Sequence, residues 1–226
     1  NLLKRMESSV HSFLLTVERI YQYLDDTSQI ISRFIRSGTG SLDDMMDFSG
    51  TAADFDDDDQ NTDFFTVGKK IRIDLRDMDY ISWQRDIEDD KETLLLLINM
   101  VKDITPEYDY KLNQLLKVIE EKETHPINPG NRKILIFTAF ADTAEYLYDY
   151  IAPKAKKKGL NTALVTGSVD GRTTIPRFKA EMNHVLTCFS PLSKDRDTLF
   201  PQDKQNDIDI LIGTDCISEG QNLQDC

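Results

Sequence analysis

The stretch KILIFTAFADTAEYLYDYIAPKAKKKGLNTALVTG, residues 133–167, decides the fold that this sequence predicts. It opens with a continuous apolar run at Lys133–Thr138, continues as an amphipathic segment over Asp142–Gly159, and closes with a second apolar run at Asn161–Gly167. Short apolar runs bounded by turn residues are typical of buried strands, and an amphipathic period is typical of a helix. We therefore predict a strand, a helix and a second strand in this order.

The same alternation continues toward the end of the chain. A helical pattern occurs near Glu181–Leu186, and a third apolar run follows at Asp207–Thr214. Apolar strands that alternate with helices favour an α/β fold with a parallel sheet covered on both faces. We expect Phe137, Leu211 and Ile212 to belong to the core of this sheet.

The chain before this region predicts helices instead. Apolar side chains recur at three- and four-residue steps through the first 36 residues, and a separate short helix is expected after Ser28. The helical pattern returns from Asp79 to Ile104, where Ile81 and Trp83 are expected to face inward. The apolar stripe of the first helix contains Leu3, Met6, Val10, Phe13, Val17, Ile20 and Leu24, and that of the short helix contains Ile30, Ile31, Phe34 and Ile35.

A second domain is predicted to begin near residue 105. The sequence Thr105-Pro106-Glu107 offers a hydroxyl cap, a proline suited to a first turn and an acid near the positive helix end, and this combination predicts a helix start. We therefore divide the chain into a helical region, residues 1–105, and a partial α/β domain, residues 106–226.

Residues 37–68 are predicted to form an acidic, flexible loop within the helical region. Nine aspartates and no Lys, Arg or Glu lie between Ser37 and Val67, so the rest of the chain carries only −4 of the net charge of −13. Repulsion among these carboxylates, together with glycines and serines, disfavours a packed structure. A DNA-mimicking or autoinhibitory segment is one alternative. Calcium binding is another, although Asp56–Asp59 lacks the spacing of an EF-hand loop.

Composition favours a cytoplasmic protein. The longest apolar run, Leu94–Ile98, is far shorter than a membrane span, and no leader with a cleavage site is apparent. The three cysteines, Cys188, Cys216 and Cys226, are too few and too scattered for a disulfide framework or a zinc site, so free thiols are expected. We therefore expect no membrane contact and no bound metal.

Each of the three predicted strands ends in residues that suit a phosphate group. These residues are hydroxyl-bearing side chains and a glycine: Thr138, Thr166, Gly167, Ser168 and Thr214. Ligands of parallel sheets gather where the strands end, and neutral donors with little bulk are what a phosphodiester requires. The sequence therefore predicts a phosphate-binding edge.

Two further features support this edge. Asp142 is predicted to cap the following helix, with Glu145 three residues later in a capping-box arrangement. Gly220, shortly after the third strand, would allow the backbone to approach a ligand closely.

Residues Lys111 to Asp225 resemble the second RecA-like lobe of superfamily 2 helicases, and are most similar to the Swi/Snf-type branch. KILIFTAFADTAEYL resembles the family's motif IV, and LVTGS resembles the strand-end motif that follows it. DILIGTDCISEGQNLQDC resembles motif V, in which Gly220, Asn222 and Leu223 match the family's Gly-x-Asn-Leu. The resemblance covers about half of the chain and implies a partial RecA-like lobe.

The resemblance implies an ATP-dependent translocase that acts on duplex DNA. It assigns nucleic-acid contacts to Thr138, Thr166, Gly167, Ser168 and Thr214. It assigns ATP-cleft and coupling roles to Asp215, Gly220, Gln221 and Asn222, whereas Glu219 departs from the small or basic residue of many relatives.

ATP and Mg²⁺ are expected to bind the full-length protein through a first RecA-like lobe of the same polypeptide. No Gly-x-x-x-x-Gly-Lys-Ser/Thr occurs in this sequence, and neither does the family's motif VI. The 226 residues are therefore expected to be inactive as an ATPase by themselves.

Two other classes of function remain open from the sequence. A non-catalytic, helicase-like scaffold could recruit a basic partner through the acidic loop. A stand-alone Rossmann-like nucleotide binder is disfavoured because no Gly-x-Gly-x-x-Gly follows a first strand.

Overall fold

A computed structural model describes residues 2–37, 75, 78–217 and 221–226. The chain divides into two compact units, the helical unit Asn1–Thr105 and the α/β unit Pro106–Cys226. Almost all of the predicted acidic loop, from residue 38 onward, and Gly220 lie outside the described residues.

The helical unit contains α1 (Leu2–Ser8), α2 (Val10–Ser37) and α3 (Tyr80–Val101). The prediction of a separate helix after Ser28 was wrong, because α2 is continuous. Polar side chains at the expected break bond within the helix instead: the Thr27 hydroxyl donates to the Tyr23 carbonyl at 2.8 Å. The Gln29 amide likewise donates to the Asp25 carboxylate at 2.8 Å, one turn away.

Two apolar clusters hold these helices together. Val17 and Leu94 are buried in the first cluster, and Ile31 and Ile87 are buried in the second. Trp83 packs against the second cluster and is partly buried. The apolar side chains of the predicted helices were all expected to face inward. This prediction was wrong for four of them, which are exposed: Leu3, Met6, Ile35 and Ile81.

The α/β unit begins with α4 (Tyr110–Thr124), which starts later than predicted. Asp109, not Thr105, is the cap, because its carboxylate accepts the Leu112 N–H at 3.0 Å. The same carboxylate accepts the Tyr146 hydroxyl at 2.9 Å. This long-range bond fixes the start of α4 and is invisible in the local sequence.

The remainder of the unit is mixed α/β. Its strands are β1 (Ile134–Phe137), β2 (Thr162–Val165), β3 (Arg172–Thr173) and β4 (Ile210–Gly213). The helices between them are α5 (Ala141–Lys157), α6 (Met182–Phe189) and α7 (Arg196–Leu199), with short 3₁₀ turns at Pro201–Asp203 and Asp215–Ile217.

The four strands form one sheet in the order β1-β4-β2-β3. β1, β4 and β2 are parallel, and the short β3 pairs antiparallel to β2. The prediction of an α/β fold with a parallel sheet is confirmed at this level.

Both faces of the sheet are covered. Leu164 and Ile212 point into a cluster formed with α4 and α5, whereas Val165 and Leu211 point into a cluster formed with α6. Leu211 and Ile212 are buried as predicted, but Phe137 is 47% exposed. The prediction for Phe137 was wrong because β1 is an outer strand of the sheet.

Candidate nucleic-acid interface

The carboxyl ends of β1, β4 and β2 form one row at an edge of the sheet. The Thr138 N–H donates to the Gly213 carbonyl at 3.0 Å, and the Thr214 N–H donates to the Val165 carbonyl at 3.4 Å. Since the strand register places the last residues of the three strands opposite one another, the next residue of each strand continues the row. Thr138, Thr214 and Thr166 therefore lie side by side.

Thr138 connects β1 to the start of α5. Its side chain is half-buried, and its hydroxyl donates to the Phe140 carbonyl at 2.7 Å. The helix begins at Ala141, so the prediction that Asp142 caps it was wrong. Asp142 lies in the first turn and is buried, where a carboxylate stabilises the positive end of the helix.

The loop after β2 has a defined shape. The Val169 N–H donates to the Thr166 hydroxyl at 3.1 Å, which closes a tight turn at the strand end. Gly167 and Ser168 lie at the tip of this turn and are exposed to solvent. A small residue and a hydroxyl side chain are thus presented outward next to the Thr138–Thr166 row.

Thr214 is placed differently from the other two threonines. Its side chain is only 1% exposed, and its hydroxyl lies 3.5 Å from the Cys216 sulfur. The Cys216 sulfur in turn lies 4.0 Å from the Val165 carbonyl. The buried Thr214 side chain therefore stabilises the centre of the row from the interior of the protein. The neighbouring Asp215 is exposed to solvent.

Gln221 and Asn222 contact the loop that follows α6. The Lys194 ammonium donates to the Gln221 side-chain oxygen at 2.9 Å, and the Asn222 amide donates to the Ser193 carbonyl at 3.5 Å. The structure therefore does not bring these two candidate coupling residues to the strand ends, where Asp215 lies.

Asp225 fastens the segment 221–226 to this loop. Its carboxylate accepts the Leu192 N–H at 2.6 Å, the Ser193 N–H at 3.1 Å and the Ser193 hydroxyl. Burial alone would raise the pKa of Asp225, but these donors outweigh burial and lower the pKa. Its carbonyl also accepts the Asn131 amide at 3.1 Å, close to the start of β1, so the segment reaches the amino-terminal edge of the sheet.

Sequence reasoning missed two glycines that shape the interface. A Cβ on Gly213 would lie 2.8 Å from the Val165 carbonyl and 2.4 Å from Ile217 Cδ1. A Cβ on Gly171 would lie 2.0 Å from the Ala180 carbonyl, so the loop after β2 depends on this close backbone approach. A glycine that ends an apolar strand is the signal that could have identified Gly213.

Comparison with protein-family models, curated proteins and solved structures finds no match to this chain. Among the described residues, no group of three or more His, Cys, Asp or Glu side chains could hold a metal ion. No helix in the described ranges is both long and apolar enough to cross a membrane.

Proposed function

We propose that the α/β unit is the nucleic-acid-binding and ATP-cleft-lining second lobe of a Swi/Snf-type, ATP-dependent DNA helicase or translocase. The observation that carries this proposal is the row of Thr138, Thr214 and Thr166 across three adjacent parallel strands. The row brings the half-buried Thr138 and the exposed Gly167 and Ser168 to one edge of the sheet, where a sugar-phosphate strand meets hydroxyl groups and little charge or bulk.

The exposed part of the row performs the binding in this proposal. Gly167 and Ser168 are solvent-exposed and Thr138 is half-buried, so these residues can reach phosphate oxygens. Thr214 is buried and supports the row, and duplex DNA is the preferred form because the proposed branch translocates along it. Contacts to the backbone alone give binding that is independent of sequence.

The nucleotide is held elsewhere in this proposal. ATP and Mg²⁺ bind the first RecA-like lobe of the same polypeptide, which supplies the groups for triphosphate and metal. The α/β unit lines the cleft with Asp215, which follows Thr214 after the end of β4. By itself, the unit binds DNA and does not hydrolyse ATP.

The 226-residue chain tests this proposal by fluorescence anisotropy with a labelled 20-base-pair duplex. Ser168→Ala combined with Thr138→Ala is expected to weaken binding about tenfold, because it removes two hydroxyl groups that donate to a charged phosphate in this proposal, with Thr138 exchanging the Phe140 carbonyl for a phosphate oxygen. Thr138→Ser keeps the hydroxyl and should bind like the parent chain. Thr198→Val removes an exposed hydroxyl on α7 and serves as the matched control.

Two results would contradict the proposal. One is a parent chain that shows no salt-dependent binding to the duplex. The other is a double variant that is folded, as judged by its far-ultraviolet circular dichroism, and binds as tightly as the parent.

A second candidate, a helicase-like scaffold, is favoured by the nine aspartates between Ser37 and Val67. Such a segment attracts a basic protein by electrostatic complementarity. Deletion of residues 41–63 distinguishes the two candidates, because a scaffold loses its basic partner whereas a motor lobe keeps its affinity for DNA.

A further inference from the structure

Phe137 ends β1 with an aromatic ring that is 47% exposed. Of the phenylalanines in the described ranges, it alone is classed as exposed to solvent. The position of β1 at the edge of the sheet permits this exposure, but Ile134, Leu135 and Ile136 share that edge and are half-buried. The strand therefore presents a ring only at its carboxyl end.

The strand register places Phe137 in the row of strand ends. Its partner in β4 is Gly213, and the partner of Gly213 in β2 is Val165. Because Gly213 has no side chain, no side chain of β4 lies directly opposite the ring. Phe137 also directly precedes Thr138, and consecutive Cα atoms are only about 3.8 Å apart. A single nucleotide can therefore place its phosphate at Thr138 and its base over the ring.

The backbone amide of Phe137 faces the outer edge of the sheet. The Ile134 N–H donates to the Asp209 carbonyl at 2.8 Å, before the start of β4. The Thr138 N–H donates to the Gly213 carbonyl at 3.0 Å, so both groups point toward β4. Successive N–H groups of a strand point in opposite directions, and that of Phe137 therefore points to the side of β1 on which the described sheet has no further strand. A ring and a backbone donor are thus offered side by side.

The strand ends carry no cationic side chain. No Lys or Arg occurs in the segments 137–141, 165–170 and 213–217. Contacts at this edge are therefore uncharged on the protein side, and part of the affinity has to come from interactions other than phosphate neutralisation. Stacking of a nucleobase on an aromatic ring is such an interaction, and every base offers a face for it.

We propose that Phe137 stacks on an unpaired nucleobase, so that the α/β unit prefers a junction between duplex and single-stranded DNA to a blunt duplex. This inference rests on the proposed function of the α/β unit and adds a base contact to a row that otherwise contacts the backbone. Ser168 contacts the duplex, and Phe137 contacts the first unpaired nucleotide. A base inside a duplex is stacked on its neighbours and does not offer its face, so the ring selects single-stranded nucleotides.

The test compares two DNAs bound by the 226-residue chain in fluorescence anisotropy. One is the blunt 20-base-pair duplex, and the other is the same duplex with a single-stranded tail of about ten thymines. The parent chain should bind the tailed duplex at least about fivefold more tightly, since stacking of one base on an aromatic ring gives an effect of this size or larger. Phe137→Ala should reduce this preference to less than about twofold.

Three further variants separate stacking from other effects. Phe137→Leu keeps an apolar side chain without a ring and should lose the preference as Phe137→Ala does. Phe137→Trp should keep it, and the tailed duplex alone should quench its added emission, with the parent, whose one tryptophan is Trp83, as the baseline. Leu192→Ala removes an exposed apolar side chain at the amino-terminal edge of the sheet and should keep the preference of the parent.

The results separate this inference from the proposed function. A parent that binds both DNAs equally, or a Phe137→Ala or Phe137→Leu variant that keeps the preference, overturns the inference. The proposed function then stands if the Ser168 and Thr138 double variant binds the blunt duplex weakly. If the parent binds neither DNA, both are overturned. Should Phe137→Ala be unfolded by its far-ultraviolet circular dichroism, an emission of Phe137→Trp that the tailed duplex leaves unchanged overturns the inference.

Discussion

The substitution Gly213→Ala should destabilise the α/β unit and disturb the row of strand ends together. The added Cβ would lie 2.4 Å from Ile217 Cδ1 and 2.8 Å from the Val165 carbonyl. The Ile217 side chain is only 1% exposed and has little room to move, and the carbonyl belongs to the adjacent strand β2. The backbone of β4 must therefore shift away from β2.

The size of the effect follows from these two contacts. Overpacking of a well-packed core costs about 1–3 kcal/mol, and we expect a loss of about 2 kcal/mol here because one of the two obstacles is backbone. For a chain of this length such a loss lowers Tm by about 4–8 °C. The same shift weakens the bond from the Thr214 N–H to the Val165 carbonyl, which is already 3.4 Å long, so DNA affinity should fall as well.

A double-mutant cycle in urea measures this effect. Ile217→Val removes the nearest atom, Cδ1, and by itself should cost about 0.5–1.5 kcal/mol. In combination with Gly213→Ala it should recover part of the loss, because the contact with the Val165 carbonyl remains. A single Gly213→Ala variant within 0.5 kcal/mol of the parent, or strictly additive losses in the double variant, would refute this reasoning.

Two further predictions concern the loops at either edge of the sheet. Gly171→Ala should cost about 1–3 kcal/mol in urea unfolding, since its Cβ would lie 2.0 Å from the Ala180 carbonyl. It should also weaken DNA binding by displacing Ser168; unchanged stability and affinity would contradict both expectations. Asp225→Asn should destabilise the chain at pH 7, because the lowered pKa of Asp225 stabilises the fold above the unfolded value of about 3.9. This contribution is lost as the pH falls through the folded pKa, so the two unfolding curves should converge below about pH 4, and a constant gap would argue against the prediction.

The strands of the α/β unit could be predicted because their burial is encoded locally. Leu211 and Ile212 point to opposite faces of the sheet, and both are buried. A strand that is buried on both faces needs apolar residues at every position, which is why its sequence is an uninterrupted apolar run. The local sequence does not show whether a strand lies at the centre or at the edge of the sheet. Phe137 belongs to an equally apolar run, yet it is exposed because β1 has a neighbour on one side only.

Helix boundaries depended on contacts that the local sequence does not contain. Asp109 rather than Thr105 caps α4, and its carboxylate also accepts the hydroxyl of Tyr146, which lies 37 residues away. The aspartates and glutamines in the middle of α2 look like a break in the sequence, but they bond one turn apart along a continuous helix.

The candidate site also has features that the sequence predicts and features that depend on long-range packing. Parallel strands end at the same edge whatever their order, so the residues that follow them could be predicted to lie near one another. Which of these side chains face solvent could not be predicted. Thr214 follows β4 and is buried, whereas Gly167 and Ser168 in the loop after β2 are exposed.

The contacts of Gln221 place it with the loop after α6 and not with Asp215. Asp215 follows β4 at the row of strand ends, and ten residues later Asp225 fastens the chain to the loop after α6. Lys194 donates to Gln221 from that same loop, and the Asn131 amide donates to the Asp225 carbonyl before β1. Because the Asp225 carboxylate accepts bonds from Leu192 and Ser193, the segment 221–226 and the loop after α6 should move together as one element at the amino-terminal edge of the sheet.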